Sequence, residues 1–149
     1  MIHHSAIRVH DVDASLRFWR DGLGFDVLMD ETFTGDWSTL LRARTDVLRS
    51  IFLGQADRPD CGIVELVDLG SSDAASPPEE DVAGFLLLSV MTDVDAVLSR
   101  LADLGLGGAP RRITVHGVAM AVVVDPDGVA VELIDSGAAI TLERDLLEP

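Results

Sequence analysis

The sequence predicts an α+β fold made of two βαβββ modules, and an internal repeat is the main reason. Residues 11–16 read Asp-Val-Asp-Ala-Ser-Leu, and a near copy, Asp-Val-Asp-Ala-Val-Leu, stands 82 residues later at 93–98. A second pair of segments, 59–66 and 126–133, shares Pro-Asp at its start and Glu-Leu at its end. In each half, segments whose apolar residues alternate as in a strand surround one segment whose apolar residues have helical spacing. Repetition of this kind indicates a duplicated supersecondary unit.

The first module begins with a β-branched and apolar strand, His3–Val9. Asp11 can cap a helix whose apolar stripe has helical spacing and which ends at Gly22 and Gly24. Three further strands follow: Phe25–Glu31, Val47–Gly54 and Gly62–Leu69. The two repeat offsets, 82 and 67, differ by 15 residues, so this module carries an insertion of that size, which we place at Phe33–Arg44.

The second module repeats the order with a strand at Gly84–Val90 and a helix capped by Asp93. Its last three strands are Arg111–Val115, Val118–Val124 and Val129–Ile134, and Asp125–Gly128 forms the turn before the last. The predicted boundaries are 1–69 for the first module, 70–82 for a Ser- and Pro-rich linker, 83–135 for the second module and 136–149 for a tail.

Composition narrows the range of partners. The chain has 149 residues and a formal net charge of -15, which argues against nucleic acid because phosphate binding needs a basic patch. The acidity serves either solubility or attraction for a cationic ligand. No apolar run is long enough to span a membrane, and no signal peptide is evident. Cys61 is the single cysteine, which excludes an intrachain disulfide and fits a cytoplasmic location.

Two glutamates are the first candidates for chemistry. Glu65 and Glu132 stand at the same place in the two repeats, late in the last strand of each, with apolar neighbours on both sides. A carboxylate in such a strand either faces solvent or is held by a partner, because burial of a lone charge is costly. Their symmetry suggests one shared centre between the modules.

The opening stretch, His4 to Phe25 with Asp11-Val-Asp-Ala-Ser-Leu inside it, resembles the vicinal oxygen chelate superfamily, and so does the closing Asp125-Pro-Asp-Gly-Val-Ala-Val-Glu-Leu133. This family includes glyoxalases, bleomycin-resistance proteins and ring-cleaving dioxygenases. The likeness covers nearly the whole chain. It implies curved mixed sheets around a central cavity, with one metal ligand from the first and last strand of each module. Carried over, these positions are His4, Glu65, a residue near Phe85, and Glu132.

The third of these positions departs from the family. Residues 83–89 contain no histidine or carboxylate, and Phe85 is the best alignment, with Leu86 as the alternative. One imidazole and two carboxylates can still hold a catalytic Zn²⁺, Mn²⁺, Fe²⁺, Co²⁺ or Ni²⁺. Alternatively the metal has been lost, and repulsion between Glu65 and Glu132 would then push one pKa upward.

Five further residues are candidates for substrate binding. Arg8 shares a strand face with His4 and could bind a ligand carboxylate or form an internal salt bridge. The inserted segment carries two aromatic side chains, Phe33 and Trp37, which could line a binding mouth or pack on a dimer partner. Phe85 could form part of a pocket wall, and His116, between two strands, could reach the mouth of a pocket or be merely solvated.

Three functions from different classes remain open. The first is a divalent-metal-dependent lyase, isomerase or epimerase, in which a small oxygen-chelating substrate forms a metal-stabilised enolate and Glu65 or Glu132 moves the proton. The alternative is a metal-free drug- or metabolite-binding protein like the bleomycin-resistance proteins. The third is an extradiol-type dioxygenase. We also expect a homodimer, because the family usually covers its open sheet edges by pairing.

Overall fold

The structure is a computed structural model that describes residues 2–59, 62–70 and 84–136. Apart from Gly70 and Ser136, the predicted linker and tail lie outside the described residues, and so does Cys61. Within the described part, no helix is long and apolar enough to cross a membrane.

Two four-stranded mixed sheets form, which confirms the predicted pair of βαβββ modules. The strand orders are β1-β4-β3-β2 and β5-β8-β7-β6, and in each module the first strand runs parallel to the last while the other pairs are antiparallel. The elements are β1 (His4–Arg8), α1 (Val12–Leu16), β2 (Asp26–Thr34), α2 (Trp37–Leu41), β3 (Val47–Gly54), β4 (Ile63–Asp68), β5 (Leu88–Thr92), α3 (Val94–Asp103), β6 (Gly107–Val115), β7 (Val118–Val124) and β8 (Ala130–Asp135).

Both module helices begin as the sequence predicts. Asp11 accepts a hydrogen bond from the Ala14 amide at 3.0 Å, and Asp93 accepts one from the Ala96 amide at 2.9 Å. Helix α1 then widens into a π-helical segment, Arg17–Gly22, which the periodicity does not reveal. The widened turn buries two adjacent aromatic rings completely, those of Phe18 and Trp19.

The two modules share one apolar core. Alternate residues on each sheet turn inward onto the two helices, and the opposite side of each sheet, called here its open face, carries the polar residues. The helices meet at Gly22, where a methyl group would lie 2.4 Å from Leu101 Cδ2, so a larger residue would require the buried Leu101 side chain to shift. Arg100 Nε donates to the Gly22 carbonyl at 3.0 Å across the same contact. The core contains Ile7, Val9, Phe18, Trp19, Leu23, Ile51, Leu53, Val64, Leu66, Val94, Val97, Leu101, Ala121, Val123, Val131 and Leu133.

The insertion of the first module lies close to its predicted place. The β2–β3 connection spans residues 35–46 and includes α2, whereas the β6–β7 connection consists of His116 and Gly117 alone. Phe33 does not belong to the insertion, because β2 extends through it and pairs it with Leu48.

One predicted strand is displaced. The segment Gly84–Val90 was expected to be a strand, but β5 spans Leu88–Thr92. The physical reason is the partner: β5 pairs only with β8, which begins at Ala130 directly after a turn. Residues 84–87 therefore have no neighbouring strand to complete their backbone hydrogen bonds.

Candidate functional site

Glu65 is held at both carboxylate oxygens on the open face of the first module. It lies in β4, where its neighbours in register are Ala6 on β1 and Phe52 on β3. Glu65 Oε2 lies 3.1 Å from His4 Nε2, and Oε1 accepts a hydrogen bond of 2.5 Å from Ser50 Oγ. The Glu65 side chain is 14% exposed and Ser50 is buried, so this carboxylate is well fixed.

His4 is itself supported by two rings. Its Nδ1 lies 2.9 Å from His3 Nδ1, and its ring lies 5.3 Å from the ring of Phe52. One of the two Nδ1 atoms must donate to the other, which couples the tautomers of the two histidines. His3 is not among the predicted site residues, because alternation along a strand would place its side chain on the face opposite His4. Strand β1 begins only at His4, so alternation does not govern His3.

Glu132 has a simpler environment on the open face of the second module. It lies in β8 opposite Ser89 on β5, and its Oε2 accepts a hydrogen bond of 2.5 Å from Ser89 Oγ. Ser89 was also missed, because its role depends on the register between two distant strands.

The same register corrects the alignment of the third ligand position. Ala6 lies opposite Glu65, and His4 stands two residues before Ala6. In the second module Ser89 lies opposite Glu132, and Leu87 stands two residues before Ser89. Leu87, rather than Phe85 or Leu86, therefore corresponds to His4. It has no donor atom either, so the position still lacks a ligand side chain.

The described residues contain no group of three His, Cys, Asp or Glu side chains that could hold a metal ion. His4 and Glu65 come together, but Glu132 does not complete a set with them inside one chain. The pair nevertheless suits an ion. The 3.1 Å between His4 Nε2 and Glu65 Oε2 is an ordinary hydrogen-bond distance, and it is also close to the spacing of about 3 Å between two ligands at right angles with bonds of about 2.1 Å.

The other predicted residues are dispersed. Arg8 faces the same side as His4 but lies four residues, roughly 13 Å, further along β1. Trp37 Nε1 donates to the Phe33 carbonyl at 3.3 Å, so these two residues of the first module do meet. Phe85 is 73% exposed, and His116 occupies the β6–β7 turn with a φ of 49°.

A cavity of about 350 Å³ lies where the modules meet, and it adjoins His4. Its walls come from β1, the β3–β4 hairpin and β5, and they include His3, Arg58 and Ser89. None of the five residues predicted to bind substrate lines it. The sequence offered no signal for this cavity, because the juxtaposition of β1 and β5 depends on how the modules pack.

A polar network joins the second module's Asp125–Gly128 turn to the first module's helix. Buried Asp125 accepts a hydrogen bond of 3.2 Å from Trp19 Nε1, and burial raises its pKa. Asp127 accepts a bond of 2.8 Å from Ser15 Oγ and lies 2.5 Å from His10 Nδ1. The hydrogen bond with Asp127 raises the pKa of His10.

Comparisons with known proteins agree with this architecture. The model of the glyoxalase/bleomycin resistance protein/dioxygenase superfamily matches residues 1–133. The lactoylglutathione lyase-like protein terB of Aspergillus terreus is 33% identical over 147 residues, covering 89% of this chain and 74% of its own.

Two solved structures share the fold. The trypanothione-dependent glyoxalase I of Leishmania major superposes with a TM-score of 0.67 at 23% identity, covering 92% of this chain and 87% of that one. A glyoxalase family protein of Bacillus cereus gives 0.69 at 14% identity, with 90% and 92% covered. The family match extends from β1 almost to the end of β8 and includes both glutamates. The chain therefore belongs to the glyoxalase/bleomycin resistance protein/dioxygenase superfamily.

Proposed function

We propose that this glyoxalase-like protein is a divalent-metal-dependent lyase or isomerase that acts on a small substrate with adjacent oxygen atoms. The observation that carries the proposal is the His4–Glu65 pair, whose Nε2 and Oε2 atoms stand 3.1 Å apart on the open face of the first module. The lyase-like name of the Aspergillus relative supports the reaction class.

A second copy of the chain supplies the remaining ligand in this proposal. Glu132 lies outside the His4–Glu65 pair of its own chain, yet it stands at the repeat-equivalent position of Glu65. Exposed apolar side chains at both edges of the second module's sheet favour a partner there, because apolar surface is costly to leave in water. They are Phe85, Leu86, Met91, Ile113 and Val115. A two-fold homodimer would bring Glu132 of one subunit to His4 and Glu65 of the other.

The side chains around the pair have distinct roles in this proposal. A bound divalent ion would supply Lewis-acid stabilisation of the negative charge on the substrate's enolate. Ser50 holds Glu65 in place. With an ion bound, His4 Nε2 would present its lone pair to the ion, and His3 Nδ1 would accept the Nδ1 proton of His4. Among the described residues only Ser89 holds Glu132, at one oxygen, which leaves this carboxylate freer to move the substrate proton. We also place the protein in the cytoplasm, on the evidence of its single cysteine.

Thermal unfolding with Mn²⁺, Co²⁺, Ni²⁺ or Zn²⁺ tests the proposal. At least one ion should raise Tm, because a ligand of the native state alone stabilises it by mass action. Glu65→Gln and Glu132→Gln should each remove most of that shift, since each replaces an anionic ligand by a neutral group of similar shape. Glu31→Gln, the same change at an exposed site on β2, should retain it.

The opposite result has a defined meaning. If no divalent ion raises the Tm of the unaltered protein, the metal-dependent function is wrong and the metal-free binding protein takes its place. In that case Glu132→Gln should leave Tm unchanged or raise it.

A further inference from the structure

The cavity between the modules has a charge that contrasts with the rest of the chain. The protein carries 26 acidic residues against 11 arginines and lysines, yet every titratable side chain among the described residues of the cavity wall is basic. These side chains are His3, His4 and Arg58. Arg58 is the one of these three that is charged at any physiological pH, so its guanidinium places a positive charge at the cavity wall and attracts anions to it.

Arg58 is positioned by its own hairpin. Residues 55 and 58 form an isolated bridge between β3 and β4. The Gln55 side-chain oxygen accepts bonds from Arg58 Nε at 3.2 Å and from Nη2 at 2.5 Å. A guanidinium group has five N–H donors in a planar fork, so several remain for a ligand. Gln55, a neutral amide, orients this group without neutralising its charge.

The remaining wall is largely apolar, from both modules. Phe25 and Ile63 contribute from the first module, and Leu88, Val90 and Met91 from the second. A cavity of about 350 Å³ with an apolar wall and a few polar groups has the character of a small-molecule site.

We propose that this cavity binds a small organic carboxylate, with the carboxylate on the Arg58 fork and an apolar body against the wall. A carboxylate fits because its two oxygens match the planar guanidinium in a bidentate pair. The cavity adjoins His4, so the inference rests on the proposed function in one respect: the bound carboxylate is the substrate class of that site. An arginine in the cavity also argues against a cationic ligand, which was one of the two explanations offered for the protein's negative charge.

Isothermal titration of the full chain with three matched probes tests the proposal. Phenylacetate carries the carboxylate, phenylacetamide is its neutral isostere, and 2-phenylethylamine carries a positive charge. Phenylacetate should bind in a one-to-one ratio, at least tenfold more tightly than either of the others. Inorganic phosphate should not compete with it, because phosphate lacks the apolar body.

Variants then assign the binding to Arg58. Arg58→Gln should weaken phenylacetate binding at least tenfold, whereas Arg20→Gln, which removes an exposed arginine paired with Asp21 on the helix, should not change it. Equal binding of the three probes, or phenylacetate binding unaffected by Arg58→Gln, overturns the proposal. Because the probe comparison uses the unaltered protein, it decides the matter even if Arg58→Gln does not fold.

Failure of this inference and failure of the proposed function are distinguishable. Glu65→Gln should abolish the stabilisation by divalent ions but retain phenylacetate binding, and Arg58→Gln should show the reverse. A protein that binds phenylacetate through Arg58 but no metal would refute the metal-dependent function alone. A protein that binds metal but not phenylacetate would refute the carboxylate cavity alone.

Discussion

The two modules share their element order and their core, but they differ in the polar groups on their open faces. In the first, Glu65 is bound at both oxygens by His4 and Ser50. In the second, Glu132 is bound by Ser89, and Leu87 takes the place that corresponds to His4. In this chain the two modules therefore share the apolar face that forms the core, whereas their polar open faces carry different side chains.

A second asymmetry concerns how the modules are joined. The Asp125–Gly128 turn of the second module bonds to Trp19 and Ser15 in the helix of the first and to His10, which precedes that helix. By the repeat offset of 82, the counterpart of Trp19 is Leu101, which has no N–H to donate. The hydrogen bond from Trp19 in the first module's helix to Asp125 in the second module's turn therefore has no equivalent at Leu101.

Replacing Trp19 with the residue of its counterpart should have the largest effect. Trp19→Leu leaves space in a fully buried site and removes a donor to buried Asp125. We expect a loss of about 3 kcal/mol in the free energy of unfolding, measured by urea denaturation. Trp37→Leu, in the insertion, should cost less than about 1 kcal/mol. Equal losses of unfolding free energy from the two tryptophan variants would show that the Trp19–Asp125 hydrogen bond and the burial of Trp19 contribute little to stability.

The two serines that bind the glutamates should differ by less. Ser50 is buried and Ser89 is exposed, although both donate bonds of 2.5 Å. Ser50→Ala should therefore cost about 1 to 2 kcal/mol and Ser89→Ala about 0.5 kcal/mol or less, again by urea denaturation. A larger loss from Ser89→Ala would mean that the second module's site is the more rigid of the two.

The smallest effect concerns pH. The Asp127 hydrogen bond raises the pKa of His10 in the folded protein, so the stabilisation is fully present below the unfolded pKa near 6.5 and is lost as pH rises through the folded value. His10→Gln should therefore lower Tm more at pH 5.5 than at pH 9. In an Asp127→Asn background the same change should show a much smaller dependence on pH, because only the weaker effects of Asp11 and Asp125 on the His10 pKa remain. A larger effect of His10→Gln at pH 9 than at pH 5.5 would contradict this account.

Much of the fold could be predicted from the sequence because its signals are local. The Asp11 and Asp93 caps and the inward apolar residues of β3 and β7 each depend on neighbours in the chain. The displaced start of β5 depends instead on where its partner β8 begins. Local periodicity could not show that residues 84–87 lack a neighbouring strand.

The candidate site was partly predictable for the same reason. Glu65 and His4 follow from repeat symmetry and family resemblance, and they do meet. Ser50, Ser89 and His3 gain their roles through pairing register and the position of a strand end. The basic cavity around Arg58 needs two modules packed together, and no single stretch of sequence carries that information.

In the proposed dimer, His4 and Glu65 of one subunit share an ion with Glu132 of another. Mixing two variants that each lack one of the two glutamates tests this shared site. Glu65→Gln and Glu132→Gln should each bind almost no divalent ion. After subunit exchange in an equal mixture, half the dimers are mixed and each holds one intact site. Binding should therefore return to about a quarter of the level of the unaltered protein, measured by titration with Mn²⁺. A mixture that binds no more Mn²⁺ than the separate variants would contradict the claim.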